Sequence, residues 1–174
     1  LIVKGRENVL LQSNQFDTTW TTSDGLIAGS QSDKDGGASA WKLTNTNPYG
    51  RVTQDVTASG VNTFSIYAKE GNSPYLRMQF QSVGSDAYFD LSDGSVIRTE
   101  ATIIDAGTES VGNGWYRVFA SVNEAITNVR IIHTGAGGAG GGSLGDYFYI
   151  QDSQLEQGLV ATDYIETGAS TAQA

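Results

Sequence analysis

The 174-residue chain has no cysteine, two prolines, one histidine and only 10 lysines and arginines against 19 aspartates and glutamates. Without cysteine there is no disulfide framework, no thiolate zinc site and no cysteine nucleophile, although the compartment stays open. The net charge of -9 opposes a phosphate-backbone partner, because nucleic-acid modules need a basic stripe that releases counterions. No apolar run reaches the roughly 18 residues of a membrane-spanning helix, so no membrane insertion is expected. The opening LIVKGRENVLLQ breaks too soon for the apolar stretch of a signal peptide. A first residue Leu1 in place of Met predicts a fragment or a processed chain, so export would need a signal carried elsewhere, or release by lysis. With 39% hydrophobic and 17% charged residues the composition does not fit a disordered segment, and the length predicts one domain with a sizeable core.

Helical periodicity with a capping box is also missing, whereas strand patterns recur. Strands are predicted at Asn8–Gln12, Ala40–Leu43, Arg51–Val56, Thr63–Lys69, Tyr75–Ser82, Tyr88–Asp90, Trp115–Val122, Asn128–Thr134 and Tyr147–Leu155. The clusters TTSDG, SDKDGG, TNTNPYG, EGNSP, LSDG and GNG read as turns between them. Short strands with such turns and no intervening helices predict an all-β antiparallel sandwich or barrel.

Alternation assigns faces. Phe64, Ile66 and Ala68, Leu76, Met78 and Phe80, and Tyr116, Val118, Ala120 and Val122 point inward. Tyr67, Arg77, Gln79, Gln81, Trp115, Arg117 and Phe119 fall on outer faces. A face of guanidinium, amide and aromatic groups suits a sugar, whose C–H faces stack on rings and whose hydroxyls take directed hydrogen bonds. Tyr67, Arg77, Gln79 and Arg117 form the candidate glycan-binding set if their three strands are neighbours. Tyr49 and Tyr75 join them, as rings beside prolines in turns. An ordinary solvated face or a subunit contact explains the same residues.

Five segments in order carry a family resemblance. NVLLQSNQFDTTW (Asn8 to Trp20) resembles the opening, and YFYIQDSQLEQGLVATDYIET (Tyr147 to Thr167) the close, of jelly-roll domains common in bacteriophage tail-fibre and virion proteins. FSIYAKEG, YFDLSDGSV and VGNGWYRV match between them. The resemblance implies a two-sheet antiparallel β-sandwich of jelly-roll topology, akin to carbohydrate-binding modules, with N- and C-terminal strands side by side. Residues 1–174 then form one domain, with 1–7 and 168–174 as extensions or linkers. Gln151 and Asp152 stand where the family has a tryptophan segment, and Glu166 where it has proline. The resemblance also implies a structural Ca²⁺ held by Asp17, after Phe16, and Asp152 in the last strand; Asp17 equally reads as a turn-forming residue.

Other motifs have plainer explanations. The run GAGGAGGGSLG satisfies G-x-G-x-x-G but leads into a strand, so it reads as a flexible loop and not a phosphate cradle. His133 alternates with Val129 and Ile131 on an inward face and reads as a packing residue. Asp24, Asp33, Asp35, Asp86 and Asp93 neighbour Gly or Ser, where Asx-turn chemistry accounts for them. Glu70, Glu100, Glu109, Glu124 and Glu156 share no motif, and no catalytic residue is assigned. Phe16, Trp20 and Trp41 are expected in the core.

The expectation is therefore a non-catalytic domain of a virion appendage, extracellular and trimeric, with no required cofactor. It binds host-surface polysaccharide or packs against other virion proteins. A purely structural decoration domain, or an accessory carbohydrate-binding module of a secreted polysaccharide-degrading enzyme, fits the same residues.

Overall fold

A computed structural model describes residues 5–80, 82, 84–100 and 102–174. Its elements are strands β1 (Glu7–Asn8), β2 (Thr21–Ser23), β3 (Gly25–Gln31), β4 (Ala40–Asn45), β5 (Arg51–Ala58), β6 (Val61–Glu70) and β7 (Tyr75–Phe80). They continue as β8 (Ser85–Asp90), β9 (Ser95–Thr99), β10 (Asp105–Gly112), β11 (Trp115–Asn123), β12 (Ile126–His133), β13 (Tyr147–Gln157) and β14 (Ala172–Gln173). Among the described residues these make two six-stranded antiparallel sheets, β10-β11-β6-β13-β4-β3 and β2-β5-β12-β7-β8-β9, with β1 and β14 as a separate pair. The fold is the expected jelly-roll β-sandwich.

Alternation places the core. Phe64, Ile66 and Ala68 of β6, Val118, Ala120 and Val122 of β11, and Phe148 and Ile150 of β13 are inaccessible from the first sheet. Val52, Leu76, Met78, Phe80, Phe89, Val129 and Ile131 meet them from the second. Phe16 packs against Trp20 at 5.1 Å and Trp41 at 6.2 Å between ring centroids, so all three aromatics enter the core as expected. His133 is fully buried, stacks on Phe148 at 4.1 Å and donates from Nε2 to the Leu43 carbonyl at 2.9 Å.

The paired termini are clasped by the opening and closing motifs. The Asn8 side chain donates to the Ser153 and Ile165 carbonyls at 3.0 and 2.9 Å and accepts the Leu155 N–H at 3.1 Å. Ser13 Oγ accepts the Thr167 N–H at 2.8 Å, and Thr167 Oγ1 donates to the Leu10 carbonyl at 2.6 Å. Buried polar side chains are tolerated here because each finds backbone partners. The predicted strand Asn8–Gln12 is regular only at Asn8, the end of β1: beyond it the Val9 N–H still reaches the Leu155 carbonyl at 3.0 Å, but the Leu10 and Leu11 N–H groups donate to the Asn8 and Gln54 side chains, and Gln12 turns left-handed at φ 48°. Of the expected extensions, Leu1–Lys4 lie outside the described residues, while Arg6 accepts the Ala174 N–H at 2.8 Å.

Three other readings are corrected. TTSDG is not a turn throughout: Thr21–Ser23 is β2, paired with β5, and only Asp24, at φ 55°, turns the chain into β3. Asp86 lies in β8, not in a turn, and is bound by Arg77. The glycine run is held in place and not free, since Gly142 N–H donates to the Pro48 carbonyl at 2.7 Å and Gly145 N–H to the Asn45 carbonyl at 2.9 Å. A Cβ on Gly141 would stand 2.4 Å from Pro48, so close approach demands glycine there.

Candidate functional site

The outward residues of the second sheet form a grid. Across β5, β12, β7 and β8, one row runs Arg51, Ile132, Arg77, Tyr88 and the next Thr53, Arg130, Gln79, Asp86. Arg98 of β9 follows Tyr88 in the first row. Tyr75, Arg77 and Gln79 are all half-buried and share the outer side of β7. The Tyr49 ring, 44% exposed, stands at the border, placed by the Asn47–Gly50 turn before β5. Asp24, Tyr49, Arg51, Arg77, Gln79, Arg130 and Ile132 line an open recess of about 320 Å³. Three larger recesses, of about 360, 530 and 580 Å³, have no aromatic ring in their lining.

The electrostatics of this face are uneven. Arg51 pairs with Asp24 at 3.1 Å, Arg77 with Asp86 at 2.6 Å, and Arg98 with Glu100 at 2.5 Å. Burial opposes the charge of Arg77, and the hydrogen bond and charge of Asp86 outweigh it, so its pKa is raised. Arg98 lies 3.8 Å over the Tyr88 ring and Arg77 5.5 Å from it, so both guanidinium groups are within cation–π reach of the ring. Burial, then the charges of Arg51 and Arg77, lower the pKa of Arg130, while Asp55 opposes them more weakly.

The sequence-predicted set is divided by the topology. Arg77, Gln79 and Tyr49 meet in the recess, with Tyr75 on the same strand face. Tyr67 and Arg117 are opposite each other on β6 and β11, on the outer side of the first sheet. The condition that the three strands be neighbours is not met, because β7 belongs to the other sheet. Gln81 lies outside the described residues.

The Tyr67–Arg117 pair is covered by its own chain. Lys34 Nζ stands 4.7 Å over the Tyr67 ring and the Arg117 guanidinium 5.3 Å from it. Arg117, 6% exposed, donates to Ser65 Oγ at 3.1 Å and the Ala161 carbonyl at 3.4 Å. The segment 158–167 crosses here, its Thr162 N–H donating to the buried Glu156 carboxylate and its Ile165 N–H to Gln154 Oε1 at 2.7 Å. Glu156, which had no motif in the sequence, is thereby an anchor for this segment.

The two aspartates implied as calcium ligands have separate partners. Asp17 is exposed and accepts the Thr18 hydroxyl at 3.1 Å. Asp152 is buried, with Lys34 Nζ at 3.6 Å and the Gln151 amide donating at 3.2 Å. Burial raises the Asp152 pKa, and Lys34 only partly offsets this. Among the described residues no cluster of three or more His, Asp or Glu side chains could hold a metal ion. Asp33 and Asp93 do form Asx turns, accepting the Asp35 and Ser95 N–H groups at 2.9 Å each.

Arg51, Arg130 and Ile132 were not singled out by sequence reading. A signal existed, since Val129, Ile131 and His133 inward force Arg130 and Ile132 outward; what was missing was the neighbour relation of β5, β12 and β7.

No protein-family model matches the sequence, and no curated protein is similar to it. Solved structures share the fold. The K3 cleaved adhesin domain of Lys-gingipain from Porphyromonas gingivalis superposes with a TM-score of 0.51 at 15% identity, covering 88% of this chain and 100% of that one. The Clostridium thermocellum xylanase 10B structure, comprising CBM22-1 and GH10 modules complexed with xylohexaose, gives 0.50 at 13% identity. That match covers 94% of this chain and 30% of the xylanase chain. At these identities the likeness establishes the β-sandwich fold.

Proposed function

We propose that the domain is a non-catalytic glycan-binding module that presents the outer face of its second sheet to a polysaccharide. The observation that carries this reading is the convergence of Tyr49, Arg51, Arg77, Gln79 and Arg130 in one open recess on rigid strands. An exposed ring supplies a stacking surface, and the guanidinium and amide groups supply hydrogen-bond donors aimed at one place. A fold shared with a chain that contains a carbohydrate-binding module supports the class.

The five-segment resemblance supports an extracellular setting on a bacteriophage virion appendage, with host-surface polysaccharide as the partner and a trimer as the assembly. A module attached to a polysaccharide-degrading enzyme fits the fold equally. Assembly with sister or virion proteins is the second reading, favoured by the exposed apolar side chains Leu26, Leu144, Leu159 and Val160. The test is a screen of the purified domain on immobilised polysaccharides and whole cells, together with its mass in solution. Binding with a defined glycan preference supports the module; silence across the panel from a stable oligomer transfers the function to assembly.

A further inference from the structure

We propose that the glycan taken by this face is acidic, and that one of its carboxylate or sulfate groups seats against Arg130 between Arg51 and Arg77. This rests on the glycan-binding reading above and narrows its ligand class.

The distribution of charge is the first support. The chain carries six arginines and a net charge of -9, yet Arg51, Arg77, Arg98 and Arg130 all lie on this one sheet face. Three of them have a carboxylate at 2.5–3.1 Å. Arg130 has no ion pair among the described residues, and its Nε is buried without a hydrogen-bond partner. In so acidic a chain an unpaired, half-buried guanidinium beside two others is an unfavourable arrangement in the free protein. An anion that enters the recess removes that disfavour, whereas a neutral hydroxyl brings only an uncharged acceptor to a group that favours charged ones.

The shape of the recess fits a charged sugar better than a free ion. Ile132, 3% exposed, lies in the sheet between Arg51 and Arg77, while Gln79 and the Tyr49 ring add an amide and a stacking surface beside the guanidinium groups. A planar guanidinium fork pairs with carboxylate or sulfate oxygens in defined directions. The remainder of a sugar ring then has donors and an aromatic face to meet.

The experiment compares the whole chain's binding to polygalacturonate, dextran sulfate, a neutral set of dextran, xylan and galactan, and sodium sulfate alone. It is repeated for Arg130→Gln and Arg130→Lys, with melting curves for each variant. The expected result is that one or both acidic polymers bind about tenfold tighter than any neutral one, polygalacturonate and dextran sulfate separating carboxylate from sulfate recognition. Arg130→Gln then loses about that tenfold, and Arg130→Lys keeps part of it. Should Arg130→Gln melt early, the wild-type Arg130 Nε–H resonance, followed during titration with oligogalacturonate and with a neutral oligosaccharide, reads the same contact. Neutral polymers binding as tightly as acidic ones, with Arg130→Gln unaffected, overturn the inference and leave the glycan reading standing. Failure of every polymer, with or without a response to sodium sulfate, overturns both.

Discussion

Arg77 Nε–H donates to Asp86 Oδ1 at 2.6 Å across the β7–β8 pair, and this contact fixes the guanidinium at the border of the recess. The Asp86 carboxylate is almost wholly buried, so removing it leaves a partly desolvated cation without its partner. Asp86→Ala is expected to cost about 1–3 kcal/mol in denaturant unfolding. The same variant raises the positive charge of the recess and should strengthen binding of acidic polymers. A variant unchanged in both stability and binding would contradict this role for the pair.

Tyr67 and Arg117 supply the opposite prediction. Their face is roofed by Lys34 and the segment 158–167, so Arg117→Ala should loosen that segment at a cost of about 1–3 kcal/mol. Tyr67→Ala is expected to leave polysaccharide affinity unchanged. Hydrogen exchange of the 158–167 amides checks the first, and a binding isotherm the second.

The fold was legible in the sequence wherever strands were interior. All eight strands with two neighbours, β4 to β8 and β11 to β13, were predicted, because alternating Phe64, Ile66, Ala68 or Leu76, Met78, Phe80 can only serve a buried face. Of the five that escaped prediction, β2, β3, β9 and β10 are the edges of the two six-stranded sheets and β14 pairs with β1, and none of their residues is buried. An edge strand has one partner and needs no apolar alternation, so composition gives it no signature. The candidate site was half legible for a related reason. EGNSP between β6 and β7 looks like a hairpin turn, yet it binds β13, with the Tyr147 N–H donating to Asn72 Oδ1 at 2.7 Å, and carries the chain to the other sheet. Alternation showed that Tyr67 and Arg77 face outward; it could not show that they face outward on opposite sides.

His133 gives the domain a stability that depends on pH. Burial lowers its pKa below 6.5, with the Leu43 carbonyl and Asp146 opposing, and Nδ1 has no hydrogen-bond partner. The unfolded chain therefore takes up a proton before the folded one. Stability is fully present above the unfolded value and is lost as pH falls from about 6.5 toward the lower folded value. The midpoint of denaturant unfolding should fall as pH drops below about 6.5, and His133→Gln should flatten that slope. Asp33 and Asp93, whose pKa values are lowered from 3.8, act only in the more acidic range.

Asp152 separates an ion pair from a cation site. Its pKa is raised above 3.8 by burial, so its charge at neutral pH disfavours the fold despite Lys34. Its backbone, at φ 54°, is one that asparagine adopts readily. Asp152→Asn is expected to hold or raise the melting temperature, and chelator to leave the wild-type curve in place. A curve lowered by chelator and restored by Ca²⁺ would instead support the calcium staple that the family resemblance implies.

The central claim is that the second sheet's outer face binds glycan, and the most direct measurement is polysaccharide affinity of Tyr49→Ala and Gln79→Ala beside the wild type. Tyr49 is 44% exposed and Gln79 half-buried, so neither substitution opens the core. The expected result is a loss of about tenfold in each, with melting temperature and oligomeric mass unchanged. Full affinity in both variants, or a loss that appears in Tyr67→Ala instead, would contradict the claim.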